Sequence, residues 1–327
     1  MRRLLKAAAF LVLAACVVAA ATIFFGYRHY QQPGPLGSET TVLIDSGSGV
    51  AAIARKLEEA GVIGDSRLFR AAARVTERAG KLRAGEYRFE AGISMEEALA
   101  KLVEGDTVVR KVTVPEGLTS TEIVALINEA EGLSGEIESV PPEGSLLPET
   151  FHFTYGDPRN ALIERMQADM KRLLDGLWEG RAEDLPISTP EEAVILASII
   201  EKETAVAGER PQVASVFVNR LNRGMPLQSD PTVVYALTDG EGPLGRPLTR
   251  QDWKVDSPYN TYANSGLPPG PIANPGRESL EAALQPAETE FLYFVADGSG
   301  GHAFAKTLAE HNRNVAKWRR IRDAETN

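Results

Sequence analysis

The chain has 327 residues, 43% hydrophobic and 24% charged, an ordinary globular composition over a length that suits two domains and an appendage. Its formal net charge of −10 argues against a nucleic-acid binder, because tracking phosphates requires a cationic face that releases counterions; a neutral or amphoteric polymer is the better match. Cys16 is the only cysteine, and His29, His152, His302 and His311 form no pair at helical ligand spacing, so no disulfide, metal site or cofactor is expected.

Arg2, Arg3 and Lys6 precede an uncharged run from Ala7 to Tyr27. At about 1.5 Å per helical residue that run crosses a hydrocarbon core of about 30 Å, so residues 1–28 read as a cytoplasmic tip and transmembrane anchor. The positive-inside rule places the rest of the chain on the extracytoplasmic side. Two other readings compete. A cleaved signal peptide has a shorter apolar core, whereas this run continues through Ile23, Phe24 and Phe25. Leu13-Ala14-Ala15-Cys16 resembles a lipobox, but the apolar Val17 to Phe25 would make a poor start for a mature lipoprotein.

A short linker, Gln31 to Gly37, leads into a small α+β module expected over residues 38–135. Thr41 to Ile44 has strand composition. Ser48 to Ala60 carries a helical stripe of Val50, Ile53, Ala54 and Leu57, and Leu68 to Val75 reads as a second helix. Gly85 to Phe89 is a strand. Ser94-Met95-Glu96-Glu97 is a capping box that opens a helix closed by Gly105-Asp106, and Thr119 to Glu122 repeats the pattern after a strand at Val108 to Val114. Nothing in this module looks catalytic.

The larger mixed α/β domain is expected over residues 140–327, after the break at Pro141-Pro142-Glu143-Gly144. Leu162 to Trp178 is an amphipathic helix. Pro190 sits where the first helical turn tolerates proline, ahead of a helix to about Ala205. Pro211 to Arg223 is helical, Asp239 to Gly276 is a Gly/Pro/Asn-rich stretch suited to groove walls, Phe291 to Val295 is a strand, and His311 to Asp323 is a closing helix.

The chemistry is expected in Ile195 to Thr204. On a helix, Glu203 shares a face with Leu196, Ile199 and Ile200, so its carboxyl lies against apolar side chains that raise its pKa and suit it to general acid work. Glu201, rotated by about 200°, is expected to face solvent. The competing reading is a helix that simply ends there, with Glu203 in water.

Three segments sharpen this: Ile199 to Ala207, Val213 to Leu221, and Leu227 to Tyr235. Tyr259 to Tyr262, Gly266 to Ile272, Tyr293 to Gly298, Gly300-Gly301-His302 and His311-Asn312 follow in order, and Glu143 to Thr150 precedes them. Together they resemble the YceG-like endolytic murein transglycosylases over nearly the whole chain. Phe151-His152-Phe153 and Ser145-Leu146-Leu147 carry fewer aromatic groups than many relatives have around this segment.

The resemblance implies that Glu203, the second glutamate of the E-K-E-T run, is the catalytic residue. It also implies a LysM-like module at about Thr41 to Val114, and non-hydrolytic cleavage of the glycosidic bond between N-acetylmuramic acid and N-acetylglucosamine. Asn219, Gln228, Asp230, Tyr259 and Asn260 are the candidates for substrate contact and charge stabilisation. Each also reads as a cap or turn residue, and Gly298, Gly300 and Gly301 read either as a ligand-approaching loop or as a hairpin turn. The expected partners are peptidoglycan strands, the membrane through the N-terminal helix, and peptidoglycan synthases. A hydrolytic muramidase and a non-catalytic peptidoglycan-binding scaffold remain the alternatives.

Overall fold

The structure is a computed structural model that describes residues 2–325. Its N-terminal helix, α1 (Arg2–Gln31), is 30 residues long, about 45 Å at 1.5 Å per residue. Phe10, Leu11, Val12, Phe24 and Phe25 are exposed along it, which suits a helix whose surroundings are lipid.

The chain divides into two compact units, residues 1–110 with 153–156, and residues 111–152 with 157–327. The first unit pairs β1 (Thr40–Ile44) with the later β2 (Gly85–Phe89) in antiparallel register, Val42 opposite Tyr87. Between them run α2 (Val50–Glu59) and α3 (Ser66–Val75), and α4 (Met95–Glu104) follows. Ile53, Leu57, Phe69, Tyr87, Phe89, Leu99 and Leu102 close its core. Ser94 makes the anticipated capping box with Glu97, and Gly105 ends α4 at φ +75°, a left-handed conformation that glycine adopts without a Cβ clash.

The segment expected to be a tether is packed instead. Tyr30 and Leu36 are buried, Gln31 donates to Glu96 across 3.0 Å, and Gly34 N–H bonds the carbonyls of Gly92 and Ile93. A Cβ on Gly34 would lie 2.4 Å from the Ile93 carbonyl oxygen, so glycine is required for that approach. The anchor helix therefore runs directly into the first unit.

Strand β3 (Val109–Thr113) pairs with β4 (Thr150–Thr154), the hydroxyls of Thr113 and Thr150 lying 2.9 Å apart. Helix α5 (Ser120–Glu129) carries the second capping box, Thr119 with Glu122. Helices α6 (Arg159–Glu179), α7 (Pro190–Glu203) and α8 (Arg210–Asn222), with the later α10 (Arg277–Leu284), build most of the second core, and α9 (Asp230–Thr238) packs on it through Tyr235. Helix α10 packs on α7, and a hairpin of β5 (Tyr293–Ala296) with β6 (His302–Ala305) precedes α11 (Leu308–Glu325).

Asp230-Pro231, read from sequence as a turn start, opens α9, with proline in the first helical turn. That is the position where its missing N–H forfeits no helical bond. The loop at Gly298 to Gly301 is the turn of the β5–β6 hairpin.

Candidate active site

Helix α7 owes its start to Thr189, whose hydroxyl accepts from Glu192 N–H at 3.3 Å, with Pro190 in the first turn. Every residue from Ala193 to Ile200 is buried, so this is a core helix with α6, α8, α9 and α10 around it. Its last residue is Glu203, and Thr204 leaves the helix in an extended conformation. Protein surrounds Glu203 on most sides, yet it stays partly accessible to solvent.

Burial pushes the Glu203 carboxyl from the ordinary 4.5 up to about 7. The nearby negative charge of Asp230 adds to the rise, while the Ser229 hydroxyl, Arg220 and, in its protonated form, His302 oppose it. Its place at a helix C-terminus, where partial negative charge accumulates, disfavours the carboxylate in the same sense. Ser229 Oγ donates to Glu203 Oε1 at 2.5 Å, which fixes one oxygen; among the described residues the other accepts no hydrogen bond.

The Ser229 hydroxyl is aimed by a strained backbone. Gln228 has φ +52°, a left-handed conformation that costs a non-glycine residue about 1 kcal/mol or more. Its N–H bonds the Thr261 carbonyl at 3.1 Å, and Ser229 N–H bonds Thr261 Oγ1 at 3.0 Å. Thr232 Oγ1 in turn donates to the Ser229 carbonyl at 2.7 Å and lies 2.8 Å from Thr261 Oγ1. The Gln228 side chain is left exposed.

Asp230 follows at once. Its Oδ1 accepts from Tyr262 Oη at 2.6 Å and from Trp253 Nε1 at 3.0 Å, and those two rings stack with centroids 5.5 Å apart. Burial first, then the bond to Asp230, raises the Tyr262 phenol well above its usual range, so it remains a donor. Asn260 is buried, and its amide donates to the carbonyls of Trp253 and Val255 while its oxygen accepts from Tyr262 N–H. It shapes the loop that carries the aromatic pair. A cavity of about 440 Å³ beside Asp230 is bounded by Lys202, Tyr235 and Arg246, within the range of small-ligand clefts.

The other sequence candidates sit further back. Both amide bonds of Asn219 go to the carbonyls of Thr289 and Phe291, at 2.9 and 3.0 Å, fastening α8 to the segment before β5. Tyr259 packs on Tyr235 with centroids 4.8 Å apart, and burial raises both phenols. A larger cavity, about 690 Å³, lies by Phe151, Arg165 and Arg277 and includes none of these groups.

Glu201 is not the solvated residue expected from its angular position. Its side chain is 6% exposed, paired with Arg210 at 3.3 Å, and it accepts Gly276 N–H at 2.9 Å. Arg210, itself buried, also meets Glu278 at 2.7 Å, Glu116 at 3.4 Å and Ser279 Oγ at 3.2 Å. The wheel of one helix gives direction around its own axis only; the partner comes from α8, whose first residue returns over the end of α7.

Ser229, Arg220, Trp253, Tyr262, Glu209 and His302 are the members of the site that residue-type reasoning leaves without a role. Arg220 is buried, with Nε on the Leu292 carbonyl at 2.7 Å and Nη1 on the Leu227 carbonyl at 2.7 Å, and it contributes positive potential at Glu203. The available signal is order along the chain, since four of the six lie within the motif segments and only Glu209 and Trp253 fall outside them. Among the described residues there is no group of three or more His, Cys, Asp or Glu side chains placed to hold a metal ion.

A carboxyl poised near neutrality, with a hydroxyl, a carboxylate and aromatic rings at its side, is the equipment that glycoside-cleaving enzymes place around a scissile bond. The chain belongs to the YceG-like family, whose model matches residues 42–317. It is 34% identical to a Bacillus subtilis protein named endolytic murein transglycosylase, across 88% of this chain and 87% of that one. A Streptococcus pneumoniae protein of the same name is 31% identical across 90% of this chain, which spans 62% of that longer relative. A 2.6 Å crystal structure of a protein described as YceG-like, from Listeria monocytogenes, shares 32% identity and superposes with a TM-score of 0.51 over 85% of this chain and 99% of its own.

Proposed function

We propose that this protein is a membrane-anchored endolytic lytic transglycosylase of peptidoglycan, with Glu203 as its single acid/base. The observation that carries the reading is the Glu203 carboxyl itself, partly accessible at the end of a buried helix, held by Ser229 at 2.5 Å and raised to about 7. The protonated acid gives its proton to the glycosidic oxygen between N-acetylmuramic acid and N-acetylglucosamine, and the C1–O bond breaks. The resulting carboxylate takes the proton of the muramoyl 6-hydroxyl as that oxygen bonds C1. A 1,6-anhydro ring closes without water, and Glu203 is again protonated.

In this reading Asp230 and Gln228 contact the sugars beside Glu203, with Asp230 held by Tyr262 and Trp253 to favour positive charge at C1. Tyr259 lines the neighbouring wall, and Asn219 and Asn260 hold the framework to which the contacting groups are attached. The second unit, residues 111–152 with 157–327, is then the catalytic unit, and the first unit binds glycan as a LysM-like element. With Arg2, Arg3 and Lys6 on the cytoplasmic side, both face the cell wall. A cutter fixed at the membrane is suited to end new strands beside a synthase; recovery of no synthase after crosslinking in membranes would remove that partnership.

The test is mass spectrometry of the products from purified glycan strands, with the protein and its Glu203→Gln variant side by side. Products ending in 1,6-anhydromuramic acid, absent with the variant, are expected. Reducing ends would mean hydrolysis, and no cleavage by either protein would favour a binding scaffold.

A further inference from the structure

Six residues beyond Glu203, the chain places a second titratable pair that the one-carboxylate mechanism leaves unused. After Thr204 to Val206, a short 3-10 turn (Ala207–Glu209) brings Glu209 against the N-terminal end of β6. There its carboxylate grips one residue twice. Oε1 accepts His302 N–H at 2.9 Å, and Oε2 lies 2.7 Å from His302 Nδ1. A Cβ on Gly301 would stand 2.5 Å from Glu209 Oε1, so the glycine before the histidine is what lets the carboxylate approach.

Because a carboxylate only accepts, Nδ1 must carry the ring proton, and in the neutral imidazole Nε2 keeps its lone pair. Phe294 meets the ring edge-on with centroids 5.3 Å apart, which limits rotation. The two side chains are 17% and 18% exposed. Among the described residues Nε2 makes no hydrogen bond, and it is not sealed from solvent. The ring lies within electrostatic range of Glu203. A half-buried neutral imidazole, fixed in tautomer and orientation by a carboxylate, with its other nitrogen open and the ring in electrostatic range of Glu203, is set up to accept a proton donor from a ligand.

We propose that His302 is a further substrate-contacting residue, its Nε2 accepting a hydrogen bond from a hydroxyl of the glycan while Glu209 fixes the ring; the inference rests on the glycan-cleaving reading above. Glu209 is then a positioning residue that acts through His302. A purely structural histidine would need its bond to Glu209 but would have no use for Nε2.

The two roles separate in the full chain in detergent micelles. His302→Asn keeps an amide donor where Nδ1 stood and removes Nε2, so kcat/KM on purified glycan strands is expected to fall about tenfold with the melting temperature unchanged. Glu209→Gln offers the ring a donor, favours the other tautomer and turns Nε2 from acceptor to donor; a similar loss is expected, and the double variant should lose no more than either single one. Unchanged kcat/KM in His302→Asn would overturn the proposal.

Should His302→Asn melt early, ring ¹⁵N spectra decide. With only four histidines in the chain, titration of the Glu203→Gln variant with a β-1,4-linked N-acetylglucosamine oligomer should move the His302 Nε2 resonance and leave those of His29 and His152 in place. No movement at saturation would overturn the contact even if Glu203-dependent cleavage stands. Movement without any cleavage by the wild-type protein would sustain the contact and instead remove the catalytic reading.

Discussion

Replacing Glu203 with glutamine should do more than stop turnover; it should change how stability depends on pH. Glutamine keeps an oxygen to accept from Ser229 and removes the titration. In the wild-type protein the carboxyl titrates near 4.5 when unfolded and at about 7 when folded. The unfolded state therefore releases its proton first as pH rises. The stabilising preference for the protonated folded form is complete below about pH 4.5, declines through the interval, and is gone above about pH 7.

At about 1.4 kcal/mol per tenfold, linkage between pH 5 and pH 8 amounts to about 2.5 kcal/mol for a fully enclosed group. Partial solvent access reduces that to about 1–2 kcal/mol. The difference in unfolding free energy, variant minus wild type, should therefore grow by that amount from pH 5 to pH 8, in favour of Glu203→Gln. Urea denaturation followed by tryptophan fluorescence is the assay. Trp178, Trp253 and Trp318, the only three tryptophans, all belong to the second unit, so the signal reports the unit that holds Glu203. Parallel stability curves for the two proteins across this interval would refute the raised pKa, and with it the claim that Glu203 is protonated and ready as an acid.

Three further outcomes follow from the geometry. Wild-type activity should fall as pH rises through about 7, where the acid loses its proton. Ser229→Ala removes a bond that favours the carboxylate, so the alkaline limb of its pH–rate profile should move upward while kcat drops about tenfold as the carboxyl loses alignment. Arg210→Ala strands Glu201 in a buried position, and a loss of about 3–5 kcal/mol is expected by denaturation; a loss below 1 kcal/mol would mean that the pair is solvated.

Much of the fold is legible in the sequence because it is local. The capping boxes at Ser94 and Thr119, the Thr189-Pro190 start of α7 and the Gly105 stop of α4 each depend on atoms within four residues. The apolar run of α1 likewise needs only its own length. Pro231 obeys the same rule as Pro190, yet its preceding aspartate also suits a turn, and only the burial of Thr232 and Val233 against the core decides for a helix. The linker at Gln31 to Gly37 has the composition of a tether and is packed because Gly34 finds the carbonyls of Gly92 and Ile93.

For the site, the sequence by itself determined which carboxyl to examine: the spacing of Leu196, Ile199, Ile200 and Glu203 places that acid over an apolar stripe. What surrounds it was decided only by the tertiary structure. Ser229, Asp230, Tyr262 and His302 arrive from a loop, a helix start, a second loop and a hairpin, and Glu201 is enclosed by an arginine that no helical wheel contains. Periodicity carries information over a turn or two of helix, whereas a pKa is set by every charge and every absent water within several ångströms, wherever in the chain those groups originate.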